Sequence, residues 1–162
     1  MSHEVTSSDA PEYQVPALER DDAIIARALA ILESRVMRQT IDSTTRAAEY
    51  LRLLYGEEVR EVFALMHLDS QRRVIKIEPL FWGTLDGSMV HPREILRAVL
   101  DANAGAVILV HNHPSGVPEP SHADVAITKK IQNALATIDV RVVDHIVVAA
   151  GGAVSFAERG LL

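Results

Sequence analysis

His111 and His113 follow an uninterrupted apolar run, Ala106 to Val110, and are themselves followed by Pro114. A run of this kind reads as a buried central strand. Side chains two apart on a strand point to the same side, so both imidazoles face one way and can ligate one metal ion. A third ligand has to arrive from another element. Asp124 suits that role: it falls on the first turn of the next helix, and the intervening loop is stiffened by Pro114, Pro118 and Pro120. Two imidazoles and one carboxylate leave a fourth position open to water. This is the arrangement of a catalytic zinc site, in which the ion lowers the pKa of water toward ~7. Ser121-x-x-Asp124 also reads as a capping box, with the acid at the positive end of the helix. The two readings are compatible, since Ser121 can cap the helix while Asp124 faces a metal.

Composition narrows the chemistry further. The 162 residues include no cysteine and seven histidines, and 16 basic against 22 acidic side chains give a net charge of −6. Without thiols there is no disulfide scaffold, thiolate zinc site, iron–sulfur cluster or cysteine nucleophile. A transition metal must then be held by imidazole and carboxylate. The acidic balance offers no electrostatic basis for non-specific nucleic-acid binding. Neither a phosphate-binding P-loop nor a G-x-S-x-G elbow occurs, and the nucleobase deaminase pattern fails for want of cysteines. His3-Glu4 does not open a zincin helix, because Ser7 stands where the second histidine belongs. With no signal-like segment and no apolar run of membrane-spanning length, a soluble, cytoplasmic protein is expected.

Residues 1–20 are polar and proline-punctuated and read as a flexible arm. From Asp21 a helical period begins, with Ile24, Ala28, Ile31, Leu32 and Val36 at three- and four-residue steps, so 21–42 is expected to hold an N-terminal helix. Ser43 is a plausible cap for a second helix carrying Ala47, Leu51 and Leu54, which Gly56 stops. Val62 to Leu68 and Val74 to Phe81 read as a hairpin across Asp69 to Arg72, with a loop over Gly83 to Ser88. Pro92 opens a helix through Ile95, Val99 and Leu100. The strand Ala106 to Val110 follows, then a helix from Ser121 to about Thr137 with Ile127, Ile131, Leu135 and Ile138 on one face. Val140–Val143, Ile146–Ala149 and Ala153–Phe156 read as three short strands. The order α-α-β-β-α-β-α-β-β-β predicts an α/β fold, a mixed sheet flanked by helices.

The string H-x-H-P-x6-S-x-x-D, formed by His111, His113, Pro114, Ser121 and Asp124, resembles the JAMM motif of the JAB/MPN metallohydrolases. Phe81-Trp82-Gly83-Thr84-Leu85, Val90-His91-Pro92-Arg93-Glu94, His111 to Gly116 and Asp144-His145-Ile146-Val147-Val148 resemble the RadC branch of that superfamily. Asn112 departs from the Ser or Thr usual between the histidines of JAMM isopeptidases but fits the RadC branch. The likeness covers residues 43–162 and implies a JAB/MPN-like (cytidine-deaminase-like) fold. Longer RadC proteins carry an additional N-terminal helical region, so the chain looks like a short form.

The resemblance implies zinc on His111, His113 and Asp124, an upstream glutamate as general base, and a serine donating to the developing oxyanion. Glu61 stands where that glutamate is expected and Ser121 matches the serine. Read from the residues alone, Glu57, Glu58, Glu61 and Glu78 all remain candidates for the base. His67, His91 and His122 read as structural or surface residues, and Trp82 as core. Asp144 and His145 read as structural in preference to supporting a ligand imidazole. Two functions follow. The first is a zinc-dependent hydrolase cleaving a peptide or isopeptide-like amide. The second is a DNA-repair or mobile-element accessory protein acting on nucleic acid without proteolysis, a reading the charge does not favour.

Overall fold

Strict alternation along two central strands organises the molecule. In a computed structural model that describes residues 17–37, 44–83 and 90–162, β1 (Val62–Leu68) and β3 (Ala106–Asn112) are buried at every position. Val62, Ala64, Met66 and Leu68 join Ala106, Ile108 and Val110 on one face of the sheet, against Ala47, Tyr50 and Leu51 of α2 (Thr44–Tyr55). Phe63, Leu65, Val107 and Leu109 face the other way, onto Ile95 and Val99 of α3 (Pro92–Asp101) and Ile131 and Leu135 of α4 (His122–Ala136). A strand buried on both faces needs apolar residues at every position, and both runs supply them.

The sheet runs β2-β1-β3-β4-β5, with β2 (Val74–Trp82) and β5 (Gly152–Ser155) at its edges. Only β3 and β4 (Arg141–Ala149) pair in parallel, joined across one face by α4; the β1–β2, β1–β3 and β4–β5 pairs are antiparallel. The β1–β2 turn forms where expected. The Asp69 carboxylate accepts from the backbone of Gln71 and Arg73, and Arg72 takes a positive φ.

Several elements differ from expectation. α1 (Ala17–Val36) begins one turn ahead of Asp21, so the last residues assigned to the arm are helical; Ala17, Leu18, Glu19 and Arg20 are all strong helix formers. Of its expected stripe, Ile24 and Ile31 are exposed while Leu32 packs against the core, joined there by Leu29. The two strands expected over 140–149 are one, because Asp144 and His145 are buried within β4 rather than interrupting it. Asp144 is satisfied there by the His145 and Ala157 backbone amides and the Ser155 hydroxyl. The β3–β4 register also slips between Val107 and Ile108, leaving Val143 as an extra residue. Trp82 is not core: it ends the edge strand β2 and is 53% exposed. Ser43 and most of the loop expected over 83–88 lie outside the described residues. No described helix is long and apolar enough to cross a membrane.

His67 is fully buried on β1 and its Nε2 lies 2.8 Å from Glu78 Oε1, without hydrogen-bond geometry. Burial lowers the proton affinity of this ring, and the Glu78 charge only partly offsets it. His145, fully buried as well, is lowered in the same direction, chiefly by burial. At these two rings protons therefore bind the unfolded chain more readily than the folded one just below the ordinary imidazole value of about 6.5, so the stability they contribute falls as pH falls through that range. Urea unfolding between pH 7.5 and about 5.5 should show this loss, each such ring adding at most ~1.4 kcal/mol per pH unit. His67→Leu should flatten the slope; an unchanged slope contradicts this account of His67.

Candidate metal centre

The alternation that places Val107 and Leu109 on the α3/α4 face of β3 continues to His111 and brings its ring beneath the N-terminus of α4. His113 lies just past the strand, where its backbone N–H still donates to Val148 of β4. The two rings meet on the same side, Nε2 to Nε2 at 2.9 Å. Asp124 enters from the first turn of α4, its Oδ1 3.2 Å from His111 Nε2 and its Oδ2 3.5 Å from His113 Nε2. His111, His113 and Asp124 thus each offer a ligand atom, all within 4.8 Å of one another. His111 and Asp124 are buried, and His113 is partly open to solvent.

Asp124 reconciles the capping and ligand readings by dividing its oxygens. Oδ2 accepts from the Ser121 backbone N–H at 2.6 Å and from the Ser121 hydroxyl at 2.7 Å, while the Asp124 N–H donates back to Ser121 Oγ at 3.2 Å. These bonds form a complete capping box. Oδ1 is left toward His111. Ser121 itself is exposed, with its hydroxyl turned onto the carboxylate.

The loop carrying His113 is tied to the β4–β5 turn. Gly151 N–H donates to Gly116 O at 3.2 Å, and a Cβ at Gly151 would stand 2.6 Å from that same oxygen, so the approach requires glycine. Arg159 pairs with Glu119 at 2.6 Å. Within the loop, the Val117 carbonyl accepts from His113 Nδ1 at 3.0 Å. A carbonyl can only accept, so the Nδ1 proton is fixed, and in the neutral ring Nε2 is left as an electron-pair donor.

The electrostatics follow from this packing. Burial pushes His111 below the ordinary imidazole value, opposed by its hydrogen bond to Asp124 and by the Asp124 and Glu61 charges. His113 is raised, first by its hydrogen bond to Asp124 and further by the Val117 carbonyl and the Asp124 and Glu61 charges, with burial opposing. Burial alone would raise Asp124, yet its bonds to His111, His113 and Ser121 hold it well below the usual carboxylate range. The group is therefore an anion facing two imidazoles and attracts a positive charge, which is what a ligand set for a divalent cation must do.

Glu61 sits immediately before β1, half-buried, and its charge acts on both ligand rings. The other glutamates are disposed elsewhere. Glu57 is exposed, Glu58 acts on Tyr55, and Glu78 pairs with Lys76 at 2.7 Å and approaches His67 at the far end of the hairpin. Asn112, on the opposite face from the two histidines, holds the segment around Glu61. Its Oδ1 accepts from Val62 N–H at 2.7 Å, and its Nδ2 donates to the Glu58 and Arg60 carbonyls, each at 3.1 Å. A hydroxyl side chain cannot span all three, which gives the departure at this position a physical purpose.

Two contributors were not legible in the sequence. His145, read as structural, places Nε2 2.8 Å from His111 Nδ1. Thr128 lies against the other nitrogen of His145 at 2.6 Å. Its spacing from Asp124, one helical turn on the same face, was the available signal. His91 and His122 are exposed, and neither stands among the three side chains that could hold a metal.

Residues 41–161 match a family described as the RadC-like JAB domain. A UPF0758 protein of Leptothrix cholodnii is 53% identical over 133 residues, covering 82% of this chain and 60% of the relative. A UPF0758 protein of Methylibium petroleiphilum is 50% identical over 141 residues, covering 86% and 64%. One from Vibrio cholerae is 46% identical over 152 residues, covering 93% and 96%. The chain thus spans less than two thirds of the first two relatives and nearly all of the third.

Asn112→Ala should leave the buried Val62 N–H without a partner and cost about 1–3 kcal/mol, because the exposed Glu58 and Arg60 segment can turn its carbonyls to water. Urea denaturation measures this directly. A loss within error of zero contradicts the anchoring role.

Proposed function

The chain belongs to the RadC-like JAB domain family, and from that premise we propose that it is a zinc-dependent hydrolase of JAMM type, acting on a peptide or isopeptide-like amide. The observation that carries this reading is the convergence of His111, His113 and Asp124 beneath one helix N-terminus, with the Glu61 charge reaching both rings. These three side chains would hold the ion, which when bound supplies Lewis acidity toward water and a carbonyl oxygen. Glu61 takes up the proton of the attacking water on its carboxylate and passes it to the departing amine nitrogen. The Ser121 hydroxyl, held at the site's edge by Asp124 Oδ2, turns its proton to the carbonyl oxygen as negative charge develops there. Asn112 fixes the backbone on both sides of Glu61, so the base is held by a buried amide and not by its own exposed loop.

Metal analysis after chelation and reloading tests the assignment. Wild type should take up about one zinc per chain, and His113→Ala should lose it. Glu61→Gln should keep the metal while hydrolysis of an amide substrate falls by about 10²–10⁴. Zinc uptake unaffected by His113→Ala, or full hydrolysis by Glu61→Gln, overturns the corresponding role.

A further inference from the structure

We propose that Thr128 and His145 are positioning residues that hold His111 in the tautomer able to bind a metal; the inference rests on the metal-site reading above. The direction of each proton follows from the contacts. Thr128 Oγ1 carries one hydrogen and lies 2.5 Å from the Asp124 backbone oxygen and 2.6 Å from His145 Nδ1. The carbonyl has no proton to give, and two oxygens at that distance repel unless a proton lies between them. The hydroxyl hydrogen therefore points to Asp124, and His145 Nδ1 must donate to Thr128.

His145 is fully buried, with Phe63 at 5.8 Å and Phe156 at 4.5 Å between ring centroids. A second proton would place an imidazolium in apolar surroundings, so the ring carries only the one on Nδ1. Its Nε2 is then an acceptor, and the His111 Nδ1 facing it at 2.8 Å must be the donor. Neutral His111 is left with a bare electron pair on Nε2. That atom faces His113 Nε2, which is bare in the neutral ring because Nδ1 donates to Val117 O, and also Asp124 Oδ1. Three electron-pair donors meet with no hydrogen of their own to share, an arrangement that only a cation satisfies.

The reversed relay would have the opposite result. Were Thr128 to donate to His145, His145 Nε2–H would donate to His111 and force the His111 proton onto Nε2. That hydrogen would bond His113 and Asp124, and the three ligands would satisfy one another. One threonine hydroxyl thus decides between a metal site and a closed hydrogen-bonded cluster. The relay also ends on the backbone of Asp124, so β3, β4 and α4 are joined around the site in one circuit.

The test uses the whole chain in mildly alkaline buffer, free of metal and then titrated with zinc. Long-range proton–nitrogen NMR of the metal-free wild type should show both His111 and His145 protonated on Nδ1. Thr128→Val, close in shape but without the hydroxyl, should move both protons to Nε2 and weaken zinc binding about 10–100-fold. Thr128→Ser should restore the wild-type pattern and affinity. An Nε2-protonated His111 or His145 in wild type overturns the proposal, as does wild-type zinc affinity in Thr128→Val. Failure of the wild type to take up zinc would instead overturn the metal-site reading, while the metal-free spectra still decide the tautomers.

Discussion

Burial strips water from both nitrogens of an imidazole, and most of what surrounds His111 is placed to face them instead. The ring is fully excluded from water and stacks on Phe63 at 6.4 Å. His145 engages its Nδ1, and Nε2 is turned to His113 and Asp124. Every element of the β3-α4-β4 unit contributes to this arrangement. β3 brings the ring, β4 brings the neighbour that orients it, and α4 brings both Thr128 and the carboxylate. The parallel crossover therefore places residues in contact that lie 34 positions apart in the chain.

The same unit lets one aspartate begin a helix and still present an oxygen to the two imidazoles. Asp124 Oδ2 is occupied by Ser121, which fixes the carboxylate plane, and Oδ1 remains toward His111. Capping here also orients the carboxylate, since Ser121 holds Oδ2 and leaves Oδ1 toward His111. Asp124 also anchors the far end of the His145 relay through its carbonyl. On the opposite face, Asn112 anchors the backbone on both sides of Glu61.

Much of this was legible in the sequence because it depends on local spacing. The period-two relation of His111 and His113, the apolar run ahead of them and the Ser121–Asp124 cap are all short-range patterns, and β1 and α3 follow the same logic. What was not legible depends on long-range pairing. Asp144 and His145 look like an interruption in an apolar strand until Ser155, Ala157 and Thr128 are brought against them. Trp82 looks like core until β2 is seen to be the sheet's edge. The apolar stripe of α1 gives helix period correctly but not which side is covered, because that depends on where α2 lies. Thr128 carries no signal of its own beyond its spacing from Asp124.

His111, His113 and Asp124 are expected to form a single metal centre whose other coordination positions are open to solvent. X-ray absorption on the zinc-loaded chain tests it most directly. Two imidazole nitrogens are expected at ~2.0–2.1 Å with their characteristic outer-ring scattering, together with oxygen ligands at ~2.0–2.2 Å. In His113→Ala any residual zinc should retain at most one imidazole. A zinc shell with fewer than two imidazoles in wild type, or one that is unchanged in His113→Ala, would contradict it.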